Sequence, residues 1–300
     1  MRLPIVHHPD YDARFEPGHR FPMGKYSALM RELDARGLVG SDNLYQPDLL
    51  HPSLLKLAHS PLYVDQVVAC AVPPAIERDI GFPVSARVSR RAQLATAGTL
   101  LAARLALQTG LACNTAGGSH HARHAQGAGF CTLNDVAVAS LVLLAHREVD
   151  RILIVDLDVH QGDGTADILA DEPRAFTFSM HGERNYPIQK ARSDRDVPLP
   201  DGTGDDAYLD VLSRHLPELI TELRPDLVFF NAGVDPHHDD RLGRLSLSSD
   251  GLRRRDLAVL QTCRDRSVPV CGVIGGGYSR DINAVATRHA ILFETAASLV

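Results

Sequence analysis

The apolar run Ile152-Leu153-Ile154-Val155 ends in Asp156-Leu157-Asp158-Val159-His160, and no other stretch constrains the fold as much. An uninterrupted aliphatic run reads as a strand buried on both faces, as in a parallel sheet. Side chains alternate along a strand, so Asp156, Asp158 and His160 are expected on one side near its end. Two carboxylates and an imidazole cannot sit there bare; they need a cation or partners that share protons. The carboxyl ends of strands in open α/β sheets are also where ligands bind. The stretch reads as half of a metal site. The plainer alternative is a solvated acidic loop capping the next helix.

Similar short runs recur along the chain. Strands are expected at 3–6, 111–115, 152–156, 175–179, 226–231 and 268–274. Helices are expected at 23–36, 61–71, 90–108, 134–145, 165–170, 206–223, 249–266 and 281–298. Strands separated by helices imply right-handed crossovers and a mostly parallel sheet with helices on both faces. Segments 180–205 and 232–247 read as long binding loops. Asp201 to Asp206 reads as a turn and helix start, with Thr203 or Asp205 as N-cap.

The 300 residues, 44% hydrophobic, are enough for one large core, and the motifs spread without a linker, so a single domain over 1–300 is expected. The net charge of -6 comes from intermixed signs with no basic block, which excludes nucleic acid as the primary partner. The five cysteines lie far apart without a C-x-x-C, as in a cytoplasmic protein with reduced thiols. Cys113, Cys131 and Cys271 are expected as small core residues. No apolar run approaches membrane-spanning length, and no membrane partner is expected. A homodimer is compatible with this pattern.

A further ligand candidate follows the run Leu227-Val228-Phe229-Phe230. Asp235 lies just past it, with Asp239 and Asp240 as rivals. Asp158, His160 and Asp235 would form an O/N/O set with a coordination position left open, suited to zinc, Fe(II) or Co(II). After another strand comes Gly117-Gly118-Ser119-His120-His121. A tandem His is a proton-transfer or ligand pair if buried; His7-His8 and His237-His238 show that such pairs also occur elsewhere. Gly275-Gly276-Gly277-Tyr278 allows an unusual backbone path that can present a phenol into a cleft. Asp163 fits a helix cap.

With these segments assembled, the chain resembles the zinc-dependent histone deacetylase superfamily, which includes acetoin-utilisation and acetylpolyamine amidohydrolase proteins. The resemblance rests on Gly117 to Ala122, Gly129 to Asp135, Asp156 to Gly164, Asn231 to Asp235 and Gly275 to Tyr278, in family order. Gly18 to Lys25, His181 to Pro187 and Gly202 to Leu209 look like its class IV branch. The resemblance implies a three-layer α/β/α, arginase-like fold with a central parallel sheet of about eight strands. It implies Zn2+ (or Fe2+) on Asp158, His160 and Asp235. His120 and His121 would be the catalytic pair, backed by Asp156 and Asp163, with His121 as general base and acid. Tyr278 would bind the carbonyl oxygen. Gly129 and Phe130 would line an acyl tunnel, with Gly276 and Leu242 also contacting substrate. A structural K+ would use oxygens of Asp156, Asp158, His160, Ser179 and Met180.

The implied reaction is hydrolysis of an N-acylated amine, foremost N-acyl-lysine in a peptide or protein, with an acetyl or longer fatty acyl group. Peptide-gripping members often carry an acidic residue before the helix expected at 90–108. Here the region reads Ile80-Gly81-Phe82-Pro83, with Asp79 nearest, which counts against the usual peptide grip. Polyamine-selective relatives often have a Glu where Leu242 stands, which counts against acetylpolyamine. A small acylated amine stays as an alternative substrate. A binuclear ureohydrolase on the same fold and a non-catalytic acyl-lysine sensor are the rival functions.

Overall fold

The computed structural model describes residues 2–16 and 18–300. Eight strands form one sheet: β1 (Ile5–Val6), β2 (Leu44–Tyr45), β3 (Leu111–Asn114), β4 (Ile152–Asp156), β5 (Ala175–Gly182), β6 (Arg195–Leu199), β7 (Leu227–Asn231) and β8 (Val270–Val273). Their order is β2-β1-β3-β8-β7-β4-β5-β6. Every pairing is parallel. The apolar runs of β4 and β7 are buried throughout, as strands covered on both faces must be.

The helices are α1 (Lys25–Ala35), α2 (Pro52–Leu55), α3 (Pro61–Val68), α4 (Pro74–Ile80), α5 (Ala86–Thr109), α6 (Asp135–Ala145), α7 (Asp163–Leu169), α8 (Asp205–Leu223), α9 (Ser249–Arg264) and α10 (Ile282–Ala297). α5, α6 and α7 pack on one another, and α1, α10, α9 and α8 form a second packed string. These two strings are the outer layers of a three-layer α/β/α fold.

The topology positions the site. From β4 the chain continues outward to β5 and β6; β7 then returns to the other side of β4 and leads on to β8. Connections thus leave β4 and β7 in opposite directions. Such a reversal opens a crevice at the carboxyl ends of the two strands.

Several expected boundaries differ. β2 and β6 are not apparent in the sequence. β2 is a two-residue edge strand with both side chains exposed, so it has no buried pattern to read. β6 falls inside the expected binding loop 180–205 and carries Pro198, which an edge strand tolerates. β5 runs on to Gly182, past the expected end at 179. β4 stops at Asp156, so Asp158 and His160 lie in the loop beyond it. α2 and α4, each with Pro in the first turn, were also unexpected. α5 starts earlier than expected because Ser85 caps it through the Val88 amide. Neither Thr203 nor Asp205 caps α8. Gly204 occupies that position, and the Asp205 carboxylate accepts from the Ser248 amide and hydroxyl at 2.8 and 2.6 Å.

One buried side chain ties the strand-end loops together. Arg255 on α9 is fully buried. Its Nη1 donates to the carbonyls of Gly233 (2.6 Å) and Leu157 (3.3 Å), and its Nε donates to Asp256 (2.9 Å). The loops after β7 and β4 thereby share one guanidinium. Arg255→Met should strand the buried Asp256 carboxylate and two carbonyls, costing about 3–5 kcal/mol in urea unfolding. A loss under about 1 kcal/mol would show that the loops hold without it.

Candidate active site

Leu157 and Val159 turn into the core, while Asp158 and His160 stand beside Asp235 from the loop after β7. All three are buried, and their candidate ligand atoms lie within 4.8 Å of one another. His160 Nδ1 is 3.0 Å from Asp158 Oδ1 and 3.1 Å from Asp235 Oδ2. Backbone amides fix the carboxylates: Val159 donates to Asp235 at 2.9 Å and Gly276 to Asp158 at 2.7 Å. Burial and the Asp158 charge push Asp235 up to about 7. Asp158, despite burial, is held well below the usual carboxylate range by His120 and His160. Two adjacent buried carboxylates resist double ionisation unless a cation joins them. The donor set of two oxygens and one nitrogen fits a divalent ion such as zinc or Fe(II).

Of the rivals to Asp235, Asp240 accepts from the amides of Leu242, Gly243 and Tyr278, which commits both its oxygens. Asp239 faces Arg288 at 3.0 Å. It also groups with His237 and His238, which is half exposed.

The tandem histidines follow β3 through Gly117-Gly118-Ser119. Gly118 has φ +77°, and a Cβ there would strike the Gly275 backbone, so only glycine lets the two loops meet. Asp135 braces this loop. One carboxylate oxygen accepts from the Ser119 amide (2.8 Å), the other from the Gly118 amide (3.1 Å) and the Thr99 hydroxyl (2.6 Å). His120 Nδ1 lies 2.7 Å from Asp156 Oδ2, and His121 Nδ1 lies 2.6 Å from Asp163 Oδ1. The two rings are 4.1 Å apart. Asp163 also accepts from Arg123 Nη2 at 2.7 Å. It occupies the first turn of α7, behind the cap residue Gly162, so it faces the histidine instead of capping the helix.

The environments drive the two imidazoles apart. Burial alone would depress His120, but Asp156 and Asp158 outweigh it and push it up to about 9. Burial and the neighbouring His120 push His121 down to about 4, against the pull of Asp163. A pair split in this way has one proton holder and one proton acceptor near neutrality.

Tyr278 ends the glycine turn after β8, its ring 6.1 Å from that of His160. Its amide donates to Asp240 at 2.6 Å, and the buried Lys25 Nζ donates to the Gly275 carbonyl at 2.9 Å. Burial, then Asp235 and Asp158, push its phenol well above the ordinary range, so it stays a hydrogen-bond donor.

A cavity of about 410 Å³ opens above this floor and is lined by His121, Gly129, Phe130, His160, Leu242 and Tyr278, among others. Phe130 has φ +68°, a strained value for a bulky residue, and its amide is held by the Ile80 carbonyl at 2.8 Å. Gly276 lines a small inner cavity that shares His121, Gly129, Phe130 and Tyr278 with this one, and a Cβ on it would overlap Asp235. Tyr186 forms a wall that the sequence did not single out, edge-on to His121 at 4.8 Å. Asp156 and Ser179, both expected near potassium, are register partners across β4 and β5. Ser179 Oγ lies 3.0 Å from His181 Nδ1, and Met180 is buried.

The Histone deacetylase domain family matches residues 19–293. An uncharacterized protein of Picosynechococcus is 49% identical over 99% of both chains. Histone deacetylase 2 of Arabidopsis thaliana is 30% identical over 93% of this chain and 75% of its own length. The crystal structure of an acetylpolyamine aminohydrolase from Burkholderia pseudomallei superposes with a TM-score of 0.80 at 20% identity, covering 99% of both chains.

The chain belongs to the histone deacetylase family. Membership makes it a hydrolase of amide C–N bonds. The likeness to the solved structure extends to the α/β/α architecture with its eight-stranded parallel sheet. No helix among the described residues is long and apolar enough to cross a membrane.

Two further residues of this deacetylase fold brace the segment between the tandem histidines and α6. Asn134 caps α6 through the Ala137 amide and donates to the Ala122 carbonyl at 3.1 Å. His59, buried, accepts from the Asn134 amide at 2.9 Å and meets the Arg123 carbonyl at 2.9 Å. It links both ends of the segment between the tandem histidines and α6. Burial pushes it down to about 4. The unfolded chain takes up this proton below its ordinary value of about 6.5, whereas the folded chain resists until about 4. Stability is therefore full above that upper value and declines as pH falls toward the lower one, by on the order of 3 kcal/mol. Urea unfolding at a series of pH values should show this slope, reduced in His59→Gln. An equal slope in the variant would remove His59 as a source.

Proposed function

We propose that this chain is a metal-dependent deacylase that hydrolyses the amide of an N-acylated amine, foremost N-acyl-lysine. The observation that carries the reading is the buried histidine pair, each ring on its own buried aspartate, beside a three-ligand cluster that a phenol faces.

Asp158, His160 and Asp235 would hold the ion, zinc in the first instance, with Fe(II) suited to the same donors. The chemistry such an ion supplies is Lewis acidity, which polarises a carbonyl and makes water a usable nucleophile at neutral pH. His121 is neutral at that pH. Its Nδ1–H is turned to Asp163, which leaves Nε2 to accept the proton of water and later return it to the leaving amine. His120 Nδ1 is turned to Asp156, which would orient the ring beside the reacting carbonyl. The Tyr278 hydroxyl donates to the oxygen on which negative charge develops. Gly129, Phe130 and Leu242 would flank the acyl-lysine stem. A potassium ion near Asp156, Asp158, His160, Ser179 and Met180 belongs to the same reading, as a structural element. Five unpaired cysteines, four of them buried, accord with work in the cytoplasm.

Zinc-loaded protein should hydrolyse a matched series of acyl-lysine peptides, acetyl through myristoyl, and lose that activity to a chelator. The chain-length profile separates acetyl from fatty-acyl specificity. Tyr278→Phe should keep its metal and lose on the order of 10²–10³ in kcat. Unimpaired turnover in that variant would reject the oxyanion role. Two Mn per chain would instead favour a ureohydrolase, and an intact site that binds acyl-lysine without turnover would favour a sensor.

A further inference from the structure

The cavity above the candidate active site has a charged rim. Arg20, Arg78, Arg184 and Arg244 line it, with Asp79 the only acidic residue there among the described residues. They come from four separate segments: the loop before α1, the last turn of α4, the β5–β6 connection and the loop between β7 and α9. Only the fold brings them together. All four are exposed. Asp201 serves two of them, 3.2 Å from Arg244 and 3.9 Å from Arg184. Arg20 and Arg78 make no ion pair among the described residues. The chain as a whole has a net charge of -6, so this excess of positive charge is local and not a reflection of composition.

Four guanidinium groups around one opening repel one another and any cation that approaches. They attract carboxylates, which arginine binds in a two-pronged geometry. Concave walls of low dielectric focus such a field on whatever enters. The floor of the cavity is His121 and His160, and Phe130, Tyr186 and Leu242 form its walls. An acyl-lysine with its amide at the floor would run its four-carbon stem between those walls and bring its α-carbon to the rim.

We propose that the preferred substrate carries a carboxylate on the amine side of the scissile amide, at the distance of the lysine α-carbon, where the arginine rim receives it. The proposal rests on the deacylase reading and narrows its substrate class. The carboxylate is either the substrate's own α-carboxylate, as in a free or C-terminal N-acyl-lysine, or that of an adjacent acidic residue. Acetylated polyamines, which are cationic, are disfavoured.

The test uses zinc-loaded protein and four compounds: Nε-acetyl-lysine capped as a neutral amide, the same compound with a free α-carboxylate, a capped peptide with Glu next to acetyl-lysine, and N-acetylputrescine. Values of kcat/KM are measured at low and high salt, and binding is measured by calorimetry on Tyr278→Phe. The better carboxylate compound should exceed the neutral amide by roughly 5- to 10-fold. That ratio should fall toward one at high salt and in the Arg20→Gln/Arg78→Gln double variant. Whichever carboxylate compound leads identifies the source. Equal or better use and binding of the neutral or cationic compound overturns the proposal. Failure of the deacylase reading looks different: no compound is turned over, while calorimetry still ranks the carboxylate compounds first or removes that ranking as well.

Discussion

Four aspartates, Asp156, Asp158, Asp163 and Asp235, are buried at the carboxyl ends of β4 and β7, and the surrounding structure depends on how their charges are met. An isolated carboxylate in such a place is unaffordable, so each must have a cation, an imidazole or several N–H donors. Asp156 has His120 and the Asn231 amide group; Asp163 has His121 and Arg123. Asp158 and Asp235 have His160 and backbone amides between them. The backbone follows these demands. In the glycine turn after β8 the Gly276 amide reaches Asp158; Asp135 holds the loop after β3 from behind, and Arg255 holds the loops after β4 and β7. The crevice made by the reversal of strand order gives this network a place near solvent without exposing it.

The parts of the fold legible in the sequence are those with a strong local pattern. β4 and β7 are apolar runs closed by a polar residue, and α5 and α8 are long periodic segments, so all were recognisable within a few residues. β2 and β6 were not. One is two exposed residues, and the other is a polar edge strand containing proline; each is a strand only because a neighbour offers hydrogen bonds. The structure brings Asp158, His160, Asp235, the tandem histidines and Tyr278 into one floor, as their positions after strand ends implied. Arg255 was illegible because its sequence context, Arg253-Arg254-Arg255-Asp256, reads as a solvated helix face. Its partners are carbonyls at Leu157 and Gly233, distant in sequence and without side-chain identity. His59 is a lone histidine whose partners are also backbone groups. Tyr186 lies in a loop whose path no periodicity fixes.

The opposite displacement of His120 and His121 follows from burial acting together with the same charge distribution. Rings 4.1 Å apart do not both carry a proton readily. Asp156 and Asp158 both face His120, so the proton that the pair retains belongs there. Asp163 lies behind His121 and also accepts from Arg123, but burial and the neighbouring His120 outweigh its pull on the ring. A neutral His121 between a buried aspartate and an open cavity is a base with one nitrogen oriented and the other free.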